Sequence, residues 1–196
     1  MDGFNNDLQT QMEQLKKIIV SNVILKEALE TAKNISLKNY YIGAGCIAQT
    51  IWNHQMKFEL IHGISDIDFV YYDNSDLSFE AEKSIIESIN KQFVQYPIKL
   101  DIKNQARVHL WYKDHFGYDI KPYNSIENAI NAWPTTATSI GVRFENDDLK
   151  IYAPFGLNDL FGMIVRANKA QITKEIYLQK VSKWKTKWPT LTIIPW

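Results

Sequence analysis

The sequence predicts an α+β fold: a mixed β-sheet flanked by α-helices, with further helices at both ends of the chain. Two observations support this. Several segments repeat apolar residues every three or four positions, the period of a helix face, and shorter ones alternate apolar and polar residues, as half-buried strands do. The two kinds of segment follow one another along the chain, and this order is typical of a sheet covered by helices.

The first segment with helical periodicity lies near the start of the chain. Apolar residues recur at helical spacing from Leu8 to Leu29, which predicts one bent helix or two short ones before Asn34. The stretch NYYIGAG follows and predicts a short strand that runs into glycines. A helix is expected from Gly45, because the apolar residues that begin at Ile47 again have helical spacing.

Two strands with polar residues on one face are predicted in the middle of the chain. The first, at residues 67–72, has Ile67, Phe69 and Tyr71 on one face. The opposite face carries Asp66, Asp68 and Val70. The second lies in YPIKLDI, where apolar residues alternate with a lysine and an aspartate. Further helices are expected at residues 85–93, 105–112, 126–133, 157–166 and 174–185, and a hairpin in SIGVRFENDDLKIYAP with its turn at ENDD.

Length and composition suit a single domain. The chain has 196 residues, of which 45% are apolar and 13% aromatic, enough for one sizeable core. We therefore interpret residues 1–196 as one domain, in which helical segments at 1–36 and 156–196 lie on either side of a sheet core at 37–155.

The overall charge gives no preference for nucleic acid or membranes, since 22 basic residues are balanced by 22 acidic ones. The last quarter is locally basic, however, because Glu175 is the one acidic residue between Arg166 and Lys187. That pattern fits either a solvated helix face or a surface that meets phosphate groups. The single cysteine, Cys46, and the lack of a signal peptide or a long apolar run lead us to expect a soluble cytoplasmic protein with no membrane partner.

A glycine turn is the first of three features that together suggest a site. In IGAG the predicted strand ends in Gly43 and Gly45, and a helix begins. Glycines let the backbone approach a phosphate group closely, and the free N–H groups at a helix N-terminus attract its charge. A tight strand-to-helix turn also needs glycine for structural reasons alone, so both explanations stay open.

The other two features are a pair of aspartates on one predicted strand and a single aspartate on a later strand. Asp66 and Asp68 are two residues apart in a strand, so their side chains point to the same face. Two carboxylates on one face either meet water or hold a cation, and Mg²⁺ prefers such oxygen ligands. Asp101 lies on the polar face of the later strand, where it either completes that ligand set or pairs with Lys99 or Lys103.

The order of these features resembles the polymerase-beta-like nucleotidyltransferase superfamily. The apolar run FVYY follows the two aspartates here, whereas in haloacid-dehalogenase-type phosphatases and many glycosyltransferases it precedes them. The blocks GAGCIAQTIWN, DIDFVYYD, LDIKNQARVHLWY, AINAWPTTATSIGVR and IYAPFGLNDLF resemble a bacterial nucleotidyltransferase-like family once catalogued as a domain of unknown function. The resemblance runs from about Tyr40 to KWKTKWPTL near the end of the chain.

The resemblance implies a polymerase-beta-like sheet and a set of site residues. Asp66, Asp68 and Asp101 would be the catalytic carboxylates and would bind two Mg²⁺ or Mn²⁺ ions. Gly43 and Gly45 would present backbone N–H groups to the phosphates of a nucleoside triphosphate.

Two basic residues complete the candidate site, and the sequence differs from the family at one position near it. Lys103 and Arg107 carry charged donors that suit phosphate binding, although a surface ion pair explains either of them equally well. Members of the family often carry arginine where this chain has Ala48, so a phosphate contact is missing here or comes from elsewhere. Aromatic residues such as Trp133 and Trp184 can stack on a base, but their apolar neighbours favour core packing.

The resemblance further implies an enzyme that transfers a nucleoside monophosphate from a nucleoside triphosphate to an acceptor hydroxyl and releases pyrophosphate. The acceptor is unknown, and the neutral overall charge disfavours a long nucleic acid without excluding one. Two alternatives use the same residues: a nucleotide-binding or interaction protein without catalysis, and a metal-dependent phosphohydrolase in which water is the nucleophile.

Overall fold

The computed structural model describes residues 2–35, 37, 39–94, 96–146 and 148–196. The helices are α1 (Leu8–Ser21), α2 (Val23–Lys33), α3 (Gly45–Met56), α4 (Phe79–Gln92), α5 (Val108–Phe116), α6 (Ile126–Asn131), α7 (Asn158–Phe161) and α8 (Lys174–Lys187). The strands are β1 (Tyr40–Gly43), β2 (Asp66–Tyr71), β3 (Lys99–Asn104), β4 (Gly141–Glu145), β5 (Asp148–Tyr152), β6 (Ile164–Val165) and β7 (Thr192–Ile193). Within these residues, no helix combines the length and the apolar character that a membrane crossing requires.

Five strands form one mixed sheet in the order β3-β2-β1-β4-β5. Strand β1 pairs antiparallel with β2 and β4, β4 pairs antiparallel with β5, and β2 and β3 run parallel. The parallel pair needs a crossover, which α4 supplies. The predicted mixed sheet with flanking helices is confirmed, and so is the hairpin, although Asp147 in its predicted turn lies outside the described residues.

The two faces of the sheet carry different side chains. On one face, Ile67, Phe69 and Tyr71 of β2 are fully buried in the main core, together with side chains of α1, α2 and α3. On the opposite face, Asp66 and Asp68 are only half-buried. This is the alternation that the sequence predicts, and it leaves the aspartates at the surface of the sheet that the main core does not cover.

A second, smaller apolar cluster covers part of that other face. Tyr41 of β1 and Val70 of β2 are paired in register and pack in this cluster with Ile126 and Ile130 of α6. The cluster covers the later part of β2, while the aspartates at its beginning line an open cleft.

The N-terminal segment consists of two short helices rather than one bent helix. Asn22 separates them, and its side chain accepts a hydrogen bond from the Leu25 N–H (3.3 Å), which caps α2. The same side chain donates to Thr50 Oγ1 on α3 (3.0 Å), so the break between the helices is tied to the core. The expected boundary of this segment at residue 36 lies outside the described residues.

The prediction of a helix at 157–166 is wrong over most of its length. Helix α7 is a single turn, and Met163 adopts a left-handed conformation (φ 53°) shortly after it. The chain then forms β6, which pairs parallel with β7 at the end of the described chain. A strand partner so distant in sequence leaves no trace in local periodicity. The periodicity therefore could not show that the helix stops after one turn and that a strand follows.

The segment after β3 also differs from the prediction of one helix at 105–112. Gln105–Arg107 form a 3-10 turn, and α5 follows it. The Asn104 side chain accepts the Ala106 N–H (3.1 Å) and donates to the Asp73 carbonyl (2.7 Å). Asn104 therefore caps the turn and connects the end of β3 to the loop that follows β2.

Candidate active site

The turn between β1 and α3 has an unusual backbone. Ala44 has φ 54° and ψ −125°, a conformation that residues other than glycine rarely adopt. Its N–H donates to the Ile140 carbonyl (2.9 Å), and the preceding Gly43 lies opposite Gly141 in register. These neighbours hold the turn in place, and backbone strain of this kind concentrates at functional sites.

Helix α3 begins at Gly45 without a side-chain cap. Ala44 and Gly45 line the cleft, so the positive end of the helix dipole lies at its wall. Because Gly45 has no Cβ, it keeps this part of the cleft open. A Cβ there would lie 3.0 Å from Gln49 Nε2 and 3.9 Å from Asp68 Oδ2. A helix N-terminus of this form attracts phosphate groups.

The two glycines have different roles in the turn. A Cβ on Gly43 would lie 2.5 Å from the Ile140 carbonyl oxygen and 3.0 Å from Trp133 Cη2, so the backbone could not stay in place. Gly43 is therefore required by close packing, which is the structural explanation that the sequence leaves open. Ala44 and Gly45, rather than Gly43, line the cleft.

The three aspartates lie side by side on adjacent strands. Asp68 of β2 is paired in register with Asp101 of parallel β3 and with Gly43 of antiparallel β1. Asp66 points to the same face as Asp68, and all three carboxylates line one cleft with Gly45. The structure thus brings the predicted carboxylates together with the predicted turn.

The carboxylates suit a divalent cation, but they are not arranged as a closed cage. Lys103 Nζ contacts Asp101 Oδ2, and Ser65 Oγ donates to Asp66 Oδ1 (2.8 Å). Among the described residues, no three acidic, histidine or cysteine side chains are grouped so that they could hold an ion as they stand. Mg²⁺ usually takes one or two protein carboxylates and completes its shell with water and substrate phosphates, so an open row fits it. On binding the ion, Asp101 would give up its contact with Lys103.

The position of Asp68 in the cleft raises the pKa of its carboxyl group. Burial, together with repulsion from Asp66 and Asp101, raises its pKa from 3.8 to about 7, while Lys103 and Lys180 oppose the shift. The cleft is lined by these three carboxyl groups and two ammonium groups, so acidic groups outnumber basic ones there. A bound divalent cation would stabilise the negative charge of Asp68 and so oppose the effects of burial and repulsion on its pKa.

Lys180 of α8 is a further candidate residue whose position the sequence does not predict. It is half-buried and lines the cleft with the aspartates, and its ammonium lies 6.0 Å from the centre of the Trp184 ring. Burial lowers the pKa of Lys180, while attraction to Asp68 and Asp66 acts in the opposite direction. The basic run near the end of the chain is the only sequence signal for it, because the packing of α8 decides which lysine reaches the aspartates.

Arg107 does not line the cleft. It forms a buried ion pair with Glu82 of α4, and its Nε donates to the Leu77 carbonyl (2.9 Å). Glu82 also accepts the N–H of Asn104 (2.9 Å), so this pair links α4 to the end of β3. Of the two basic residues suggested for phosphate binding, the structure brings Lys103 to the aspartates and holds Arg107 away from them.

The start of α3 offers one polar side chain to the cleft. Ala48 is fully buried in the main core, whereas Gln49 lines the cleft. Cys46 is buried as well: its thiol donates to the Gly43 carbonyl (3.1 Å), and burial raises its pKa. A thiol with a raised pKa is a poor nucleophile, so Cys46 has a packing role here.

Aromatic side chains line much of the remaining cleft, whose volume is about 430 Å³. They are Trp111, Tyr112, Phe116, Tyr123, Trp133 and Trp184. Tyr112 is buried, while the three tryptophans are half-buried and present part of their rings to the cleft. The sequence favours core packing for these tryptophans. Trp133 and Trp184 do pack against the apolar clusters as well as lining the cleft, whereas Trp111 lines the cleft without packing against either cluster of the described residues.

Comparison with known proteins agrees with this geometry. The sequence model of a nucleotidyltransferase family matches residues 30–193. A solved structure, described as an NMR structure that reveals a CCA-adding enzyme head domain, has a fold similar to this one: the TM-score is 0.78 at 24% sequence identity, over 94% of this chain and 96% of that chain. No curated protein matches significantly. The predicted resemblance and fold are thereby confirmed, and the chain belongs to this nucleotidyltransferase family.

Proposed function

We propose that the protein transfers a nucleoside monophosphate from a nucleoside triphosphate to an acceptor hydroxyl, using divalent metal ions held by Asp66, Asp68 and Asp101. The proposal depends on one observation, which is that these carboxylates share a cleft with an uncapped helix N-terminus. Carboxylates attract cations and the N-terminus attracts phosphate, so together they fit a metal-bound triphosphate.

The terminal phosphates would lie against the start of α3. Gly45 and the residues after it offer backbone N–H groups there, and Lys180 adds a positive charge from α8. These groups would bind the charge of the pyrophosphate as it forms. When bound, the metal ions would neutralise the triphosphate and lower the pKa of the acceptor hydroxyl.

The nucleoside would lie against the aromatic residues of the cleft. Trp133 packs beside the glycine turn, so this wall begins next to the position of the phosphates. Every base has a π-face, and stacking on Trp133 or Trp111 would therefore provide affinity without selecting one base.

The carboxylate row also suggests a direction for the transfer. Asp68 lies between the glycine turn and Asp101, because β2 lies between β1 and β3. The acceptor would therefore enter from the side of Asp101, which would accept the proton of its hydroxyl. The acceptor oxygen forms a bond to the α-phosphorus, and the bond between this phosphorus and the bridging oxygen breaks, so that its electron pair leaves with pyrophosphate.

Pyrophosphate release tests this proposal. The wild-type protein is incubated with each of the four ribonucleoside triphosphates, Mg²⁺ or Mn²⁺, and a cell extract as the source of acceptors. Release should depend on the metal and should fall by at least about 100-fold in Asp101→Asn. The matched control is Asp119→Asn, which removes an exposed carboxylate paired with Lys113, and it should behave as wild type.

Two results would contradict the proposal. Nucleotide binding by the wild type without pyrophosphate release, whatever the metal and extract, would favour a protein without catalysis. Formation of inorganic phosphate or of a nucleoside monophosphate with no acceptor present would favour a phosphohydrolase.

A further inference from the structure

A second cavity adjoins the cleft at Lys180. We call it the α5–α8 cavity; it has a volume of about 380 Å³ and is lined by His115, Phe116, Ile176, Gln179, Lys180 and Lys183. Phe116, Ile176 and Lys180 also line the cleft, so the two spaces meet at these residues. Helix α5 contributes His115 and Phe116 to the cavity and also lines the cleft that holds Asp101, so the cavity opens onto the space in which the acceptor would bind.

The charge of the α5–α8 cavity is opposite to that of the aspartate row. Its lining offers the ammonium groups of Lys180 and Lys183, the imidazole of His115 and the amide of Gln179. Among the described residues that line it, none carries a carboxylate. Neither lysine has an ion-pair partner in the described part of the chain. Lys183 lines this cavity and not the cleft, so its charge is available to a ligand here, while Lys180 lies where the two spaces meet and faces both.

The spacing of the lining residues on α8 explains why they converge. Ile176, Gln179, Lys180 and Lys183 are three or four positions apart in successive turns, which places them on one face of the helix. On this face Lys180 is close enough to Lys183 for repulsion between the two to lower its pKa further. An anion between the two ammonium groups would relieve that repulsion.

We propose that the α5–α8 cavity binds the phosphate group of a small phosphorylated acceptor, such as a sugar phosphate, and thereby positions its hydroxyl at Asp101. The inference rests on the proposed function, because it names the chemical class of the acceptor in that reaction. The hydroxyl of the bound acceptor forms the new bond to the α-phosphorus, pyrophosphate leaves, and the phosphate held in the cavity takes no part in the exchange of bonds.

Size and overall charge favour a small acceptor over a nucleic acid. Pockets for small ligands have volumes of roughly 300–1,000 Å³, and this cavity lies at the lower end of that range. A polynucleotide is bound through many phosphates along an extended basic surface, whereas this chain has 22 basic and 22 acidic residues. A cluster of two lysines and a histidine suits one phosphate group.

Binding of ribose 5-phosphate to isotope-labelled protein, followed by NMR, tests the inference. Ribose 5-phosphate should shift the backbone signals of His115 and of residues 179–183 in a saturable manner, and ribose should not. Lys183→Gln should weaken the binding of ribose 5-phosphate by about tenfold, because it removes a charged donor. Lys174→Gln removes an exposed positive charge from the same helix outside the cavity, and it should leave this binding unchanged.

Several outcomes would overturn the inference. These are the lack of a saturable shift, an equal loss of affinity in both variants, equal affinity for inorganic phosphate, which would indicate a site for free phosphate, and tighter binding of a short RNA oligonucleotide in the same cavity. A separate titration with ATP and Mg²⁺, read at Ala44 and Gly45, distinguishes this failure from that of the proposed function. If ATP binds and ribose 5-phosphate does not, only the acceptor assignment is lost.

Discussion

Asp68 and Asp101 lie opposite each other in parallel register on neighbouring strands. The next pair in the same ladder, Phe69 and Ile102, is buried in the main core on the other face of the sheet. A shift of one residue in either strand would turn its carboxylate into the core and its apolar side chain into the cleft. Burial of the apolar pair therefore sets the relative position of the two carboxylates.

The raised pKa of Asp68 predicts a dependence of stability on pH in the absence of metal ions. A carboxyl group with a pKa of about 7 in the folded state and 3.8 when unfolded binds more protons in the folded state between these values. The contribution of Asp68 to the free energy of unfolding therefore decreases as the pH rises from 3.8 to about 7. Asp68→Asn removes this titration, so its advantage in Tm over the wild type should grow across the same range.

Thermal unfolding in EDTA at a series of pH values measures this difference. Mg²⁺ should raise the Tm of the wild type more than that of Asp68→Asn at neutral pH, because the ion compensates the charge. The control, Asp119→Asn, alters an exposed carboxylate and should show no such trend. A constant difference in Tm between wild type and Asp68→Asn at all pH values would contradict the prediction.

Lys180→Gln should lower kcat/KM for the nucleoside triphosphate by about tenfold to 100-fold. The reason is that the substitution removes a positive charge that lines the cleft beside the aspartates, where the charge of the triphosphate would lie. Steady-state pyrophosphate release measures the effect. Lys174→Gln changes the first residue of the same helix, which is exposed, and should have little effect. Similar losses in both variants would show that the net charge of α8, rather than Lys180, is responsible.

Ala44→Gly should raise the free energy of unfolding by about 1 kcal/mol. Relief of the strained backbone is worth roughly 1–3 kcal/mol, and the greater freedom of glycine in the unfolded chain offsets part of it. Ala48→Gly is the opposite control: Ala48 lies within α3 and is fully buried, so the same change should lower the free energy of unfolding by about 1 kcal/mol or more. Urea unfolding measures both, and destabilisation by Ala44→Gly would show that the turn is not strained.

Arg107→Met and Glu82→Gln should each lower the free energy of unfolding by about 3 kcal/mol, since each leaves one member of a buried ion pair without its partner. The matched surface variant, Lys113→Met, breaks an exposed pair with Asp119 and should cost less than about 1 kcal/mol. Urea unfolding measures the three values. A tenfold weaker nucleotide affinity in Arg107→Met without loss of stability would instead support the phosphate contact that the sequence suggests.

The elements around the site could be predicted because their signals are local. A strand turns alternate side chains to opposite faces, so the spacing of Asp66 and Asp68 is enough to place both on one face. The glycine turn before a periodic helix is similarly visible in IGAG. Local spacing does not reveal which distant strand a segment pairs with. The helix prediction at 157–166 failed for this reason, because the chain there forms one helical turn and then β6, which pairs with β7.

The sequence by itself determined that the aspartates share a face of their strands, that a glycine turn precedes α3, and that the chain belongs to a nucleotidyltransferase family. Tertiary structure alone decided that Lys180 reaches the aspartates, whereas Arg107 is buried against Glu82. The physical reason is that side-chain direction along a strand follows from backbone geometry within a few residues. The approach of one helix to another element depends on how the whole core packs.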